Sequence, residues 1–192
     1  NDKRGLVAAD VSGANEQIVG RNLEDQLPTW SPDGQRIIFL SRRSGQRASE
    51  LFTVSASGGE PGIIGNGEYP TWGPDGRLAF KGWMSTGVGL RLSNADLTDI
   101  QPLSDHDTDT APAISPDAVR IAFMSRRDGN WNIYVVNRDG SGLVQVTDDP
   151  ADDGLPAWSP DGRVVAFVSN RGGPWALWAA VPGSGAERQM FT

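Results

Sequence analysis

An all-β fold made of repeated four-stranded antiparallel sheets is what this sequence predicts, and three observations predict it. A seven-residue pattern returns four times at intervals of 42, 42 and 44, as Pro28-Thr29-Trp30-Ser31-Pro32-Asp33-Gly34, Pro70-Thr71-Trp72-Gly73-Pro74-Asp75-Gly76, Pro112-Ala113-Ile114-Ser115-Pro116-Asp117-Ala118 and Pro156-Ala157-Trp158-Ser159-Pro160-Asp161-Gly162. The same order of short apolar runs follows each copy, each run bounded by turn residues and too short for a helix. A content of 24 Gly and 13 Pro against only three Met adds many tight turns and few long helices.

The elements follow in order. The first strand of each repeat carries the Pro-x-Trp positions, with Ile114 in the third copy. The Pro-Asp-Gly step then turns the chain, because Pro presets φ, Asp bonds the backbone two residues on, and Gly accepts a positive φ. Ala118 replaces that Gly in the third copy, which requires another turn type or a strained one. The second strand is Ile37 to Leu40, Leu78 to Phe80, Ile121 to Met124 and Val164 to Val168, with Phe39, Phe80, Phe123 and Phe167 in equivalent places. Runs apolar on both faces indicate strands covered on both sides. The third strand is Leu51 to Val54, Leu90 to Leu92, Ile133 to Val136 and Leu177 to Val181, and a short fourth ends near Ile64, Leu103, Val146 and Phe191. Such a sheet buries both faces only when neighbours pack against it, as in a β-propeller.

Leu6 to Gly13 aligns with Leu177 to Ser184, so the N-terminal residues are the third and fourth strands of a further blade. Asn1 to Gly5 matches the loop before the third strand. The expected architecture is a half blade at 1–24 and blades at 28–66, 70–104, 112–148 and 156–192, in one propeller domain with an open or fragmentary ring. The half blade reads as a cut from a parent ring of five to seven blades. An incomplete ring, or self-association of two copies through open blade edges, are the alternatives, since exposed blade faces are apolar patches.

Pro-x-Trp-Ser-Pro-Asp-Gly, an apolar strand, Ser-x-Arg-x-Gly, an aromatic-containing strand and an Asp-Gly-type turn together resemble the forty-residue, WD-repeat-like PD-type unit of TolB-like propellers. The resemblance covers the chain end to end. It implies a non-catalytic protein- or peptide-binding domain of the bacterial envelope, periplasmic or otherwise extracytoplasmic, whose partners enter the channel mouth. The same resemblance leaves open the gating propeller of a prolyl-oligopeptidase-like serine peptidase and the sensor domain of a membrane-anchored regulator.

Composition narrows the partners. Lys and Arg number 17 against 24 Asp and Glu, and a net charge of −7 opposes nucleic acid and anionic lipid surfaces. No apolar run approaches the ~18 residues of a membrane-spanning helix, which argues against membrane insertion. With no cysteine, disulfides and thiolate chemistry are excluded. No cofactor motif is present. Asp105, Asp107 and Asp109 have the spacing that opens an EF-hand, but Thr110 and Pro116 stand where Gly and Glu are needed. His106, the single histidine, lacks both companions for zinc and a Gly-x-Ser-x-Gly nucleophile.

In a propeller the loops joining strand four to the next strand one share an end with those joining strands two and three. The first set is acidic: Glu24 and Asp25, Glu68, then Asp105, His106, Asp107 and Asp109, then Asp148, Asp149, Asp152 and Asp153. The second is basic: Arg42 and Arg43, Lys81, Arg126 and Arg127, and Arg171. The candidate partner site comprises His106, Asp107, Asp109, Asp148, Asp149, Asp152, Asp153, Arg126, Arg127 and Arg171, with Trp131 and Trp175 beside the basic set to stack a ligand. This reads as an acidic funnel inside a basic collar that docks a cationic peptide. Asp serving only as turn formers, and Trp serving only in packing between blades, are the alternatives.

Overall fold

A computed structural model describes residues 5–42 and 49–190 of the chain. Among the described residues, eighteen strands form one two-stranded and four four-stranded antiparallel sheets. The two-stranded sheet is β1 (Val7–Ala8) and β2 (Gln17–Ile18). Blade 1 is β3 (Gln26–Trp30), β4 (Arg36–Ser41), β5 (Glu50–Ser55) and β6 (Gly62–Asn66). Blade 2 is β7 (Glu68–Trp72), β8 (Leu78–Gly82), β9 (Gly89–Ser93) and β10 (Gln101–Pro102), with a 3-10 turn at Met84–Thr86. Blade 3 is β11 (Thr110–Ile114), β12 (Arg120–Ser125), β13 (Asn132–Asn137) and β14 (Val144–Gln145); blade 4 is β15 (Asp153–Trp158), β16 (Val165–Ser169), β17 (Ala176–Ala180) and β18 (Glu187–Gln189).

All four blades pair their strands in sequence order. Strand one starts two or three residues ahead of each repeat's first proline. The fourth strand of blade 1 runs past the expected Ile64 to Asn66, whereas those of blades 2 and 3 stop just short of the expected ends. Leu103 and Val146 lie just past β10 and β14, yet their amides still donate to Leu90 and Ile133 at 2.9 and 2.8 Å. Phe191 lies outside the described residues, as do Asn1 to Arg4 and Arg43.

Alternation along the strands sends successive side chains to opposite interfaces. Phe39 faces the half blade, packing with Val19, Leu6 and Ala8. Phe80 faces blade 1 against Ile38 and Leu51, and Phe123 faces blade 2 against Leu90 and Leu92. Phe167 faces blade 3 against Ala122, Ile133 and Val135. The four equivalent aromatics therefore each seal a blade to its predecessor, and the core is a series of interblade layers.

The repeated tryptophans join the same interfaces unequally. Trp158 donates Nε1–H to the Ala113 carbonyl at 2.9 Å while the Arg120 guanidinium lies 4.6 Å from its ring. Trp72 takes Arg36 over its ring at 5.6 Å. Trp30, in the equivalent place of blade 1, is 50% exposed. Its counterparts are covered by strand two of the preceding blade, and among the described residues the two-stranded sheet ahead of blade 1 has no such strand.

Turn chemistry accounts for the motif. Ser31 Oγ donates to Asp33 Oδ1 at 2.5 Å and accepts from the Arg36 amide at 2.9 Å, while the Gln35 amide donates to Asp33 Oδ1 at 3.0 Å. Ser115-Asp117 and Ser159-Asp161 repeat it. Gly34, Gly76 and Gly162 have φ of 68°, 79° and 69°. Ala118 adopts the same turn at φ 57°, its amide on the Ser115 carbonyl at 2.9 Å, so the third copy is the strained version of one turn rather than another type.

Candidate docking site at the channel mouth

Four first strands wall a central cavity of about 460 Å³, lined by Pro28, Pro70, Pro112 and Pro156 with their neighbours. Each first strand carries a register shift immediately before its proline. There Leu27, Tyr69, Ala111 and Leu155 take φ of 52°, 50°, 49° and 51° and line the cavity. A left-handed residue before proline opposes local preference, so the bulge is set by the assembled strands, and its recurrence in every blade marks the channel wall as one built feature. The wall is uncharged, mixing prolines and aliphatic side chains with Thr29, Tyr69 and Thr71, and none of the anticipated charged residues lies in it.

At the end shared by the two loop sets, the opposite charges interlock. Asp109 is fully buried, and both its oxygens accept from Arg127 Nη2, at 2.8 and 2.7 Å. The Arg127 guanidinium lies 4.8 Å from the Tyr134 ring and 5.5 Å from that of Phe123. Blade 4 repeats the device. Asp153, fully buried, accepts from Arg171 Nη2 at 2.7 Å, and Arg171 stacks 4.6 Å from the Trp178 ring. Arg171 also pairs with Glu187. Burial opposes its charge, but the Glu187 hydrogen bond and the Asp153 and Glu187 charges outweigh this and raise its pKa. Arg127 and Arg171 are thus lids on their own blades, and Asp109 and Asp153 are their buried counter-ions. Of the basic collar, Arg127 and Arg171 are neutralised within the fold.

The remaining candidates are more accessible. Asp107 is 80% exposed at its side chain, 3.5 Å from His106 Nδ1, which also meets Thr108 Oγ1 at 2.9 Å. Asp149 Oδ1 accepts from the Ala151 amide, and Asn130 Nδ2 donates to the Asp149 and Ala151 carbonyls. Asp152 Oδ1 accepts from the Trp131 amide at 3.0 Å. Asp148 is exposed but lies apart from the channel, in an outer groove of about 620 Å³ between blades 3 and 4. Arg126 lies over Trp131 at 5.6 Å from its centroid. Trp131 and Trp175 come together, with Asp152 and Asp153, around a further cavity of about 510 Å³. Among the described residues no group of three or more His, Asp or Glu stands as a metal site.

One buried cation escaped the sequence reading. Arg91 occupies the place where blades 1 and 3 have Phe52 and Tyr134, and it donates to the carbonyls of Thr86 at 2.8 Å, Leu90 at 3.0 Å and Ser104 at 2.8 Å. Its nearest carboxylate is Asp105, at 3.4 Å. A Cβ on Gly82 would lie 2.8 Å from Arg91 Cγ, so the glycine is what admits this side chain. The signal available was an Arg inside an otherwise apolar strand.

The family description "TolB beta propeller domain" matches residues 68–192. The Tol-Pal system protein TolB of Anaeromyxobacter dehalogenans is 34% identical over 150 residues, covering 73% of this chain and 34% of that protein. The chain thus spans about a third of the length of the curated relatives it matches. Among solved structures, TolB from Acinetobacter baumannii superposes with a TM-score of 0.79 at 18% identity over 96% of this chain and 48% of that one. A putative TolB from Agrobacterium tumefaciens gives 0.79 at 19% identity over 98% and 71%. With about two thirds of its length under that description, this chain belongs to the TolB beta propeller domain family.

Proposed function

We propose that this domain is a non-catalytic docking module that binds a protein or peptide at the mouth of its channel, outside the cytoplasm. The relatives named for the Tol-Pal system support the setting. One observation carries the reading: the loops leading into β11 and β15, whose strands wall the channel of four prolines, carry the exposed Asp107 and the half-buried Asp149. Negative charge near the mouth attracts a cationic segment over distance, and the prolines, Leu27 and Leu155 of the uncharged wall favour contact with its non-polar side chains. Asp107 and Asp149 supply the field with His106 and Arg126 beside them, while Asp109, Asp153, Arg127 and Arg171 hold the loops in place.

Fluorescence anisotropy with a labelled oligolysine peptide and a Gly-Ser control, over a range of salt, tests this. The double variant Asp107→Asn, Asp149→Asn binds oligolysine more weakly and with a shallower salt dependence. Unchanged affinity and slope in the double variant would remove the reading.

Blade 4 also supports self-association. Leu177 is 37% exposed where its blade 3 counterpart Ile133, sealed by blade 4, is fully buried. Light scattering that reports concentration-dependent growth, abolished by Leu177→Glu, supports pairing of copies through this face; a monomer at all concentrations refutes it.

A further inference from the structure

The cavity between the upper ends of blades 3 and 4 has a composition unlike the channel's. Trp131 and Trp175 line it, with Met124 and Val168 as apolar surface and the buried Asp153 among its lining residues. Tyr69 and Leu155 line both this cavity and the channel, so the two are neighbours at the mouth. We propose that the cavity receives the side chain of a lysine from a partner peptide, its stem between the indoles and its ammonium directed at Asp153. The inference rests on the docking reading and names what one part of that surface recognises.

Three observations support a cation here. Asp153 is fully buried; Oδ2 is held by Arg171, and Oδ1 has no hydrogen-bond partner among the described residues. A buried carboxylate oxygen without a donor is costly, and a ligand donor relieves that cost. The counterpart Asp109 differs, since both its oxygens are bonded to Arg127. Arg171 is moreover shared between Asp153 and Glu187, and Asp152 lies alongside, so carboxylates outnumber the cation. Finally, indole faces attract cations, as Arg126 over Trp131 shows, and Trp175 is 59% exposed.

The repeat explains why the cavity is in blade 4. By strand register the place of Gly154 is held by Gln26, Glu68 and Thr110 in the other blades. A Cβ at Gly154 would sit 3.3 Å from Met124 Sδ and Cε, so a side chain there would intrude on the cavity floor. Lysine fits better than arginine. One available acceptor oxygen suits a compact ammonium, whereas a guanidinium would bring further N–H groups into an apolar surround.

The test titrates the chain with Ac-Gly-Lys-Gly-NH2 and with its norleucine and arginine counterparts, following the indole N–H resonances of Trp131 and Trp175. The lysine peptide gives saturable shifts at both indoles, and the norleucine peptide binds about tenfold more weakly. Gly154→Thr, which installs the blade 3 residue, removes the lysine preference while the circular dichroism spectrum is retained. Asp153→Asn does the same if blade 4 stays folded; Trp175→Phe supplies a fold-neutral check, weakening lysine binding several-fold and leaving norleucine unchanged. Equal binding of lysine and norleucine peptides, arginine preferred over lysine, or lysine binding undiminished in Gly154→Thr overturns the proposal. Oligolysine capture that depends on Asp107 and Asp149, with no single-lysine binding, overturns the cavity alone. Single-lysine binding without that capture refutes the charged mouth instead.

Discussion

Ala118→Gly should stabilise the protein, and the structure gives the size of the gain. Ala118 is held at φ 57° in a turn whose other three copies place Gly at 68°, 79° and 69°. A left-handed conformation costs an L-residue about 1–2 kcal/mol. Glycine removes that cost but loses about 0.5–1 kcal/mol through the greater freedom of the unfolded chain. The net gain is about 0.5–1 kcal/mol, or roughly 1–4 °C in Tm for a domain of this size. Urea denaturation followed by far-UV circular dichroism measures it, with the slope m unchanged because no large surface is exposed or buried. The reverse change, Gly34→Ala, isolates the conformational cost, since a Cβ there meets nothing within 4 Å. It loses about 0.5–1 kcal/mol by the same difference. A neutral or destabilising Ala118→Gly at constant m would refute the argument that backbone conformation selects glycine in the repeat.

Three further outcomes follow from the same geometry. Asp109→Asn leaves Arg127 without its buried counter-ion and costs about 3–5 kcal/mol in urea denaturation, whereas Asp148→Asn, on an exposed loop, changes stability by less than about 0.5 kcal/mol. Trp158→Phe loses the bond to the Ala113 carbonyl and the contact with Arg120, costing about 1–3 kcal/mol; Trp30→Phe, at the 50% exposed equivalent, is nearly neutral in the same assay. Asp33, Asp117 and Asp161 have carboxyls lowered from 3.8, first by the Ser31, Ser115 and Ser159 hydroxyls. Their contribution to stability is present above pH 3.8 and is lost as pH falls through the lowered values. NMR titration of the Asp carboxyls should show Ser115→Ala returning Asp117 toward 3.8.

The blades were legible in the sequence because their chemistry is local. Ser-Pro-Asp-Gly closes its own turn, and Phe39, Phe80, Phe123 and Phe167 alternate in register with their neighbours, so period and order alone identify them. The candidate site was less legible. Sequence order put Asp109 and Asp148 in one acidic set, but the fold buries Asp109 under Arg127 and leaves Asp148 on an outer groove, a distinction made by the apposition of two loops. The residues before the prolines were unreadable for a different reason: Leu27, Tyr69, Ala111 and Leu155 take a conformation that local preference opposes, imposed by strand pairing. The cavity between Trp131 and Trp175 depends on a missing side chain, and Gly154 gives no sign of that until the register aligns it with Gln26, Glu68 and Thr110.

Comparison of the upper ends of blades 2, 3 and 4 shows how a repeat acquires a specific surface. Blade 3 closes its end with a carboxylate whose two oxygens are both bonded to one guanidinium, and nothing is left for a ligand. Blade 2 has Gly67 at the Asp109 place and Gly82 at the Ser125 place, and it closes instead with Arg91 reaching inward to carbonyls. Blade 4 keeps the Asp-Arg pair, but its guanidinium is divided between Asp153 and Glu187, and its first strand has Gly154. Two small departures, an added acid and a removed side chain, turn a closed ion pair into an open one beneath two indoles. Restoring either should close it: Glu187→Gln should let Arg171 engage both Asp153 oxygens as Arg127 engages Asp109, and so weaken lysine binding although Glu187 does not line the cavity. Undiminished lysine binding in Glu187→Gln would show that sharing of Arg171 has no part in keeping Asp153 available.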